Sequence, residues 1–338
     1  MVKLIFPKND TSISTYTQIQ ENFLKMVKEN GIKKALEYLI EVKLDKERSF
    51  PKPIKFVWES DKEKEFILEL SEKEDFSCSI QVKTNKNYCY FTNLKIGQKY
   101  FWRVNRCKPF TFETINLGYR FIKLNGTINV RDLGGINIKQ GLIYRGSEIE
   151  EEFKLTKKGC KDFTETLGIK SEISMREEIA KDHKFSKVCP SVVRVRLPYR
   201  PYKEVFEEKR KENLRDIFNF LADKKNYPIY FHCKGGADRT GMLAIYLRAI
   251  VGETEDQIFT DFELTSLSTY GAVLDRMYGV IITETTGFRR RTDSYFLEFL
   301  EEINKYKGNT FNERIKNFLL STGIEQKTLD KIVNIIKA

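Results

Sequence analysis

The chain has 338 residues, 41% of them apolar and 32% charged. At roughly 150 residues per domain that is about two domains, so a single small module is excluded, and the apolar share excludes a disordered chain. The net charge of +11 suits nucleic acid, an anionic membrane or a phosphorylated substrate equally well.

Residues 16–43 come first. Phe23, Met26, Val27, Ile32, Ala35, Leu36, Leu39 and Ile40 recur mostly at spacings of three and four, which predicts a helix. Pro51-Lys52-Pro53 breaks the chain. From Ile54 the period changes to two: Phe56 and Trp58, Phe66 and Leu68, Cys78 and Ile80, Tyr88 and Tyr90, Tyr100 and Trp102. Ser60-Asp61, Asn85-Lys86-Asn87 and Gly97 separate these segments. Five short strands roughly 10–12 residues apart predict a small all-β sandwich. Residues 106–125 form the expected junction, and the chain divides into 1–114 and 115–338.

The second part reads as α/β. Leu142-Ile143-Tyr144, Ile169–Met175, Val192–Leu197 and Pro228–His232 are predicted strands. Residues 156–168, closed by Gly168, and the amphipathic stretch 203–223 are predicted helices. Thr240–Val251 is an apolar helix, and helices continue to the C-terminus. Strand and helix alternate as in a central sheet flanked by helices.

The charge is spread evenly. Residues 1–115 hold 21 Lys/Arg against 16 Asp/Glu, and the remainder 38 against 32. The longest basic runs, Lys209-Arg210-Lys211 and Arg289-Arg290-Arg291, are too short for a nucleic-acid arm, so no nucleic-acid partner is expected. No stretch approaches the roughly 20 apolar residues of a membrane span, and Met1–Phe6 is too short for a signal core before Pro7. Cys78, Cys89, Cys107, Cys160, Cys189 and Cys233 form no CxxC pair. They suggest neither a metal site nor a disulfide framework. Buried free thiols are favoured over a pairing such as Cys78 with Cys89, and the expected location is cytoplasmic.

The chemistry concentrates in His232-Cys233-Lys234-Gly235-Gly236-Ala237-Asp238-Arg239-Thr240-Gly241, between a predicted strand and a predicted helix. A strand-to-helix turn aims backbone N–H groups at one point, and the helix dipole adds positive potential there. Gly235 and Gly236 let the backbone curl around an anion. Arg239 offers a fork of donors that matches two phosphate oxygens. A cysteine at the base of such a nest ionises readily and attacks phosphorus.

This segment resembles the H-C-x5-R-[ST] loop of cysteine-dependent protein tyrosine phosphatases. Two further segments, Asn129-Val130-Arg131-Asp132-Leu133-Gly134-Gly135 and Gly141-Leu142-Ile143-Tyr144-Arg145-Gly146-Ser147, are similar to the N-x-R-D-L-G-G … G-x-x-Y-R-S signature of the bacterial and fungal branch. Asp261-Phe262-Glu263-Leu264-Thr265 is similar to that branch's D-Y-x-L-[ST] helix, and the likeness spans about residues 117–338. Leu94-Lys95-Ile96-Gly97-Gln98-Lys99-Tyr100-Phe101-Trp102-Arg103-Val104 looks like a fibronectin type III or immunoglobulin-like pattern, whose partner the sequence leaves open.

The resemblance implies the roles. Cys233 is the nucleophile that carries a phosphocysteine, and residues Lys234, Gly235, Gly236, Ala237, Asp238 and Arg239 make the phosphate loop. Arg239 stabilises the transition state. Thr240 hydrogen-bonds the sulfur and helps it leave in the second step; the plainer reading of Thr240 is a helix N-cap, and the two are compatible. His232 orients Cys233, and Arg131 and Asp132, read as a buried pair, brace the loop. The general acid is open. Leu197–Glu204 holds no Asp, whereas myotubularin-type and related bacterial phosphatases carry one inside the loop, so Asp238 is preferred to Glu204, Glu207 or Asp182. Two departures bear on the substrate. Ser174-Met175-Arg176 replaces D-L-R, and Ala237 replaces the usual Lys. Lys234 follows the cysteine, as in some phosphoinositide phosphatases.

The expected function is metal-independent hydrolysis of phosphomonoesters, with no cofactor, on phosphotyrosine proteins or with dual specificity. A phosphoinositide or inositol-phosphate substrate is the alternative. A phosphate-binding pseudo-enzyme with an adhesive β-domain is the alternative of another class.

Overall fold

A computed structural model describes residues 2–41, 47–177, 186–270 and 294–338. Two small sheets build the N-terminal unit. One has the order β1-β3-β6, with β1 at Lys3–Phe6, β3 at Ile54–Glu59 and β6 at Tyr88–Phe91. The other has the order β2-β8-β7-β4-β5, with β2 at Thr11–Ile13, β4 at Phe66–Ser71, β5 at Ile80–Thr84, β7 at Lys99–Val104 and β8 at Phe110–Thr114. The period of two puts Phe56 and Trp58 of the first sheet against Trp102, Phe112 and Phe66 of the second. The ring pairs are edge-on, with centroids 5.1 Å (Phe56–Trp102), 5.7 Å (Phe56–Phe112) and 5.4 Å (Trp58–Phe66) apart. Four of these strands are the ones read from the alternating pairs, and the Cys78/Ile80 pair meets β5 only at Ile80, Cys78 lying in the turn before it. β1, β2 and β8 are additional, being short or lying inside the expected junction.

Between β2 and β3 the chain inserts helix α1, Gln18–Glu41, interrupted at Gly31. Division at 114/115 puts this helix with the strands, but packing does not. Phe23, Ala35, Leu36 and Leu39 are buried in the same apolar cluster as Ile143, Phe231 and Leu243 of the larger sheet unit.

That unit holds a six-stranded sheet of order β13-β12-β14-β11-β10-β9. Its strands are β9 Arg120–Phe121, β10 Arg131–Asp132, β11 Ile143–Gly146, β12 Ser171–Ser174, β13 Val193–Arg196 and β14 Ile229–His232. β13, β12, β14 and β11 run parallel, and β10 and β9 add antiparallel. Every residue of β14 is buried, as a central strand covered on both faces requires. Ile229 and Phe231 face one apolar cluster, Tyr230 the other.

The helices are α2 Lys157–Lys161, α3 Glu208–Leu221, α4 Asp238–Ile250, α5 Glu255–Glu263, α6 Ser294–Asn304, α7 Phe311–Ser321 and α8 Gln326–Ile336. α4 is buried from Thr240 to Ala249, so the helix that starts at the conspicuous loop is held rigidly.

The cysteines depart in part from the free-thiol expectation. Cys160 in α2 and Cys189 form a disulfide, their Cα atoms 5.7 Å apart at one apolar cluster. Cys78, Cys89, Cys107 and Cys233 are free, and Cys78 is exposed in a turn rather than facing Cys89.

Candidate active site

β14 delivers Cys233 to the carboxyl end of the sheet, where open α/β sheets bind ligands. α4 leaves from Asp238, with Ala237 as its N-cap residue. The five residues between form a concave loop whose carbonyls are pulled outward. Asn129 Nδ2 donates to the oxygens of both Gly235 and Gly236 at 3.1 Å. Arg145 Nη2 donates to Gly236 O at 2.9 Å, and the Glu148 N–H to Lys234 O at 2.9 Å. In a trans peptide C=O and N–H point in opposite directions. Tying the carbonyls to the shell therefore turns the following N–H groups toward the concavity.

Both glycines are required by space. Gly236 has φ +69°, and a Cβ there would lie 2.4 Å from the Gly146 carbonyl carbon. A Cβ on Gly235 would lie 2.3 Å from the Tyr270 ring. The loop thus sits directly on the end of β11 and against an aromatic ring, which itself meets Phe153 edge-on at 6.3 Å.

Cys233 is buried, and burial alone would raise its pKa. The Arg239 guanidinium, the Thr240 hydroxyl and the N–H groups of Thr240 and Ala237 outweigh that and hold it below the ordinary thiol value. The Thr240 hydroxyl is buried and does not cap the helix, whose N-cap residue is Ala237; its effect is on the sulfur. Arg239 is half-buried at the pocket, with Nη1 3.4 Å from Met175 O. His232 is fixed at both ring nitrogens, Nδ1 to Cys233 O at 2.9 Å and Nε2 to Glu172 Oε1 at 2.8 Å. Its position between a backbone carbonyl and a buried carboxylate is that of an orienting group.

Asp238 opens α4, and Tyr202 Oη donates to its Oδ1 at 2.5 Å. Glu204 and Glu207 are exposed and lie beside Arg200 and Lys209. Asp182 lies outside the described residues. Lys234 turns away from the loop to Glu152, 2.8 Å off.

Arg131 and Asp132 are not a pair, which corrects the reading of one bracing couple. Neighbours on a strand point to opposite faces. Asp132 meets Arg120 at 2.8 Å and accepts the N–H groups of Gly134 and Gly141. Arg131 turns to the loop side: it donates to Asn129 Oδ1 at 2.5 Å, to Asp261 Oδ1 at 3.2 Å and to Asp261 O at 3.0 Å. Asp261 also binds Arg145 at 2.5 Å and lies 3.5 Å from Arg248. Burial alone would raise the Asp261 pKa, but Arg145, Arg248 and Arg131 hold it far below the usual carboxylate range. Arg131 itself is pressed down to about 9 by burial and by Arg145.

Sequence reasoning assigned no role to Asn129, Arg145 or Asp261, although all three stand in the signature segments. Glu172 and Tyr202 carried no sequence signal.

Fold and loop together define a cysteine-based phosphatase. The chain belongs to the tyrosine phosphatase family, whose family model matches residues 122–336. Among solved structures it is similar to the core catalytic domain of the PP-IP phosphatase SIW14 from S. cerevisiae in complex with citrate. Identity is 19% over 38% of this chain and 76% of that one, with a TM-score of 0.29. It is also similar to the Siw14 catalytic core, at 18% identity over 46% of this chain and 88% of that one, TM-score 0.31. No curated protein matches the chain.

Proposed function

We propose that the protein hydrolyses phosphotyrosine in proteins, or both phosphotyrosine and phosphoserine/threonine, through a phosphocysteine intermediate and without a metal. The observation that carries this reading is Cys233: a buried sulfur whose pKa is nevertheless depressed, at the base of an N–H nest that ends in Arg239.

In the first step the Cys233 thiolate attacks phosphorus. The S–P bond forms as the bond to the leaving oxygen breaks, and that oxygen takes the proton of Asp238. Arg239 and the loop N–H groups bind the equatorial oxygens and stabilise the charge developing on them. In the second step water gives a proton to the Asp238 carboxylate and attacks the phosphocysteine. A P–O bond forms, the S–P bond breaks, and the Thr240 hydroxyl donates to the departing sulfur.

The aromatic wall of Tyr270 and Phe153 beside Gly235 suits an aryl phosphate. Lys234, the residue that favoured an inositol lipid, has its charge matched by Glu152. We further propose that the strands of residues 1–114 make a fibronectin type III-like sandwich. The order β1-β3-β6 against β2-β8-β7-β4-β5 and the aromatic core between the sheets support it.

The test is kcat/KM for phosphotyrosine peptides, phosphoinositides and p-nitrophenyl phosphate, with wild type and Cys233→Ser. Equal turnover of the two proteins would sink the mechanism. A preference for phosphoinositides would sink the substrate.

A further inference from the structure

The stretch Glu47–Phe50 joins α1 to β3 and lies outside the residues matched by the family model. It is nevertheless built into the wall of the phosphate loop. The Ser49 side chain is fully buried. Its Oγ accepts the backbone N–H of Asn129 at 3.1 Å and donates to Glu47 Oε1. The other Glu47 oxygen accepts both the N–H and the hydroxyl of Thr269 at 3.0 Å, one residue before the ring that packs on Gly235. The Arg48 N–H donates to Leu267 O at 2.8 Å. From the far side the buried Gln20 of α1 donates to Arg48 O at 2.7 Å and Phe50 O at 2.9 Å. The strap is therefore tied at both ends, to α1 and to the segment 267–269.

What Ser49 holds is a strained residue. Asn129 has φ +59°, a left-handed conformation that an L side chain adopts at a cost, Asn less than most. In that conformation its Nδ2 reaches the two loop carbonyls, while its Oδ1 takes Arg131. Among the described residues the acceptor for the Asn129 N–H comes from the strap, at Ser49 Oγ.

We infer that the strap Glu47–Phe50 is a positioning element of the active site, in which Ser49 fixes Asn129 and through it the outward carbonyls of Gly235 and Gly236. The phosphate loop is thus completed by a segment inserted in the N-terminal unit. The inference rests on the phosphocysteine reading above, since its readout is turnover at Cys233.

The experiment is a double-mutant cycle in the full chain with Ser49→Ala, Asn129→Ala and the double variant. It measures kcat and KM for p-nitrophenyl phosphate, the thermal midpoint, and the pH dependence of Cys233 alkylation. Ser49→Ala is expected to lower kcat by about 5- to 20-fold, the scale of one buried hydrogen bond, with KM within about 3-fold. In the Asn129→Ala background it is expected to have no further effect, since the two act in series. If Ser49→Ala does not fold, Thr269→Val, which loosens Glu47 from outside, replaces it in the same cycle. A wild-type kcat in Ser49→Ala, or effects that multiply in the double variant, would overturn the inference. Cys233→Ser as active as wild type would instead overturn the mechanism, whatever Ser49 does.

Discussion

The phenol of Tyr202 donates its proton to Oδ1 of Asp238 at 2.5 Å. Tyr202 follows Pro201 and has φ +58°, a conformation uncommon for a bulky side chain and costing on the order of 1–3 kcal/mol. Its ring is held edge-on against Phe296 at 6.1 Å. A strained residue thus fixes one oxygen of the proposed acid.

Tyr202→Phe keeps the ring packing and removes the hydrogen bond. It is expected to lower kcat/KM about 3- to 10-fold for an alkyl phosphate and less for p-nitrophenyl phosphate, whose leaving group needs little protonation. A leaving-group series measures this. An equal loss across the series would detach Tyr202 from proton transfer.

Ionisation of Cys233 is the second expectation. Burial disfavours the thiolate, and Arg239 with the loop donors overcomes that. The midpoint of iodoacetamide alkylation against pH is therefore expected below the ordinary thiol value of about 8.5. Removing a positive neighbour disfavours the anion, so Arg239→Ala moves the midpoint up, and Thr240→Ala moves it up by less. An unchanged midpoint in Arg239→Ala would remove the guanidinium as its cause.

Asp261 is buried among Arg131, Arg145 and Arg248. Asp261→Asn leaves those cations undercompensated, and is expected to cost about 3–5 kcal/mol, the range for breaking a buried pair. Because Arg145 also holds Gly236 O, turnover should fall as well. The pH dependence follows from the depressed pKa. The carboxylate's contribution is complete above the unfolded value of about 3.9 and is lost as pH falls toward the folded one. Urea midpoints of wild type and variant should therefore converge below about pH 4. A constant gap down to acid would show that the charge is not what matters.

The fragment 115–338 tests the placement of α1. Phe23, Ala35, Leu36 and Leu39 are fully buried in the cluster of the larger sheet, and each large apolar side chain contributes about 1.5–3 kcal/mol by its burial. The fragment is expected to bind a hydrophobic dye and to lose near-ultraviolet circular dichroism, as loosely packed states do. The full chain should do neither. Cooperative melting of the fragment within a few degrees of the full chain would place α1 outside the folding unit.

What could be read along the chain was what neighbours in sequence decide. Pro228–His232, the loop and Thr240–Val251 follow one another, and the chemistry of Cys233 and Arg239 depends on a spacing that backbone geometry converts directly into a nest. Period two was equally legible in Phe56-x-Trp58 and Tyr100-x-Trp102, because alternation along a strand is local. The three-residue strand at Thr11–Ile13 was not, since so short a run carries no period.

Tertiary structure decided which groups meet. Arg131 and Asp132 are adjacent and looked like a couple, yet strand alternation sends them to opposite faces. Arg131 finds its carboxylate 130 residues on, at Asp261. Asn129 takes its acceptor from Ser49, 80 residues back, and α1 leaves the strands that surround it in the chain to join the larger core. The sequence by itself determined a Cys-Arg phosphate loop between a strand and a helix and two units of different period. Only the folded chain determined what holds that loop open. A loop's own conformation is a matter of φ, ψ and spacing, whereas the carbonyl ties and buried charges that stabilise it come from segments brought together by packing, and packing leaves no mark on local spacing.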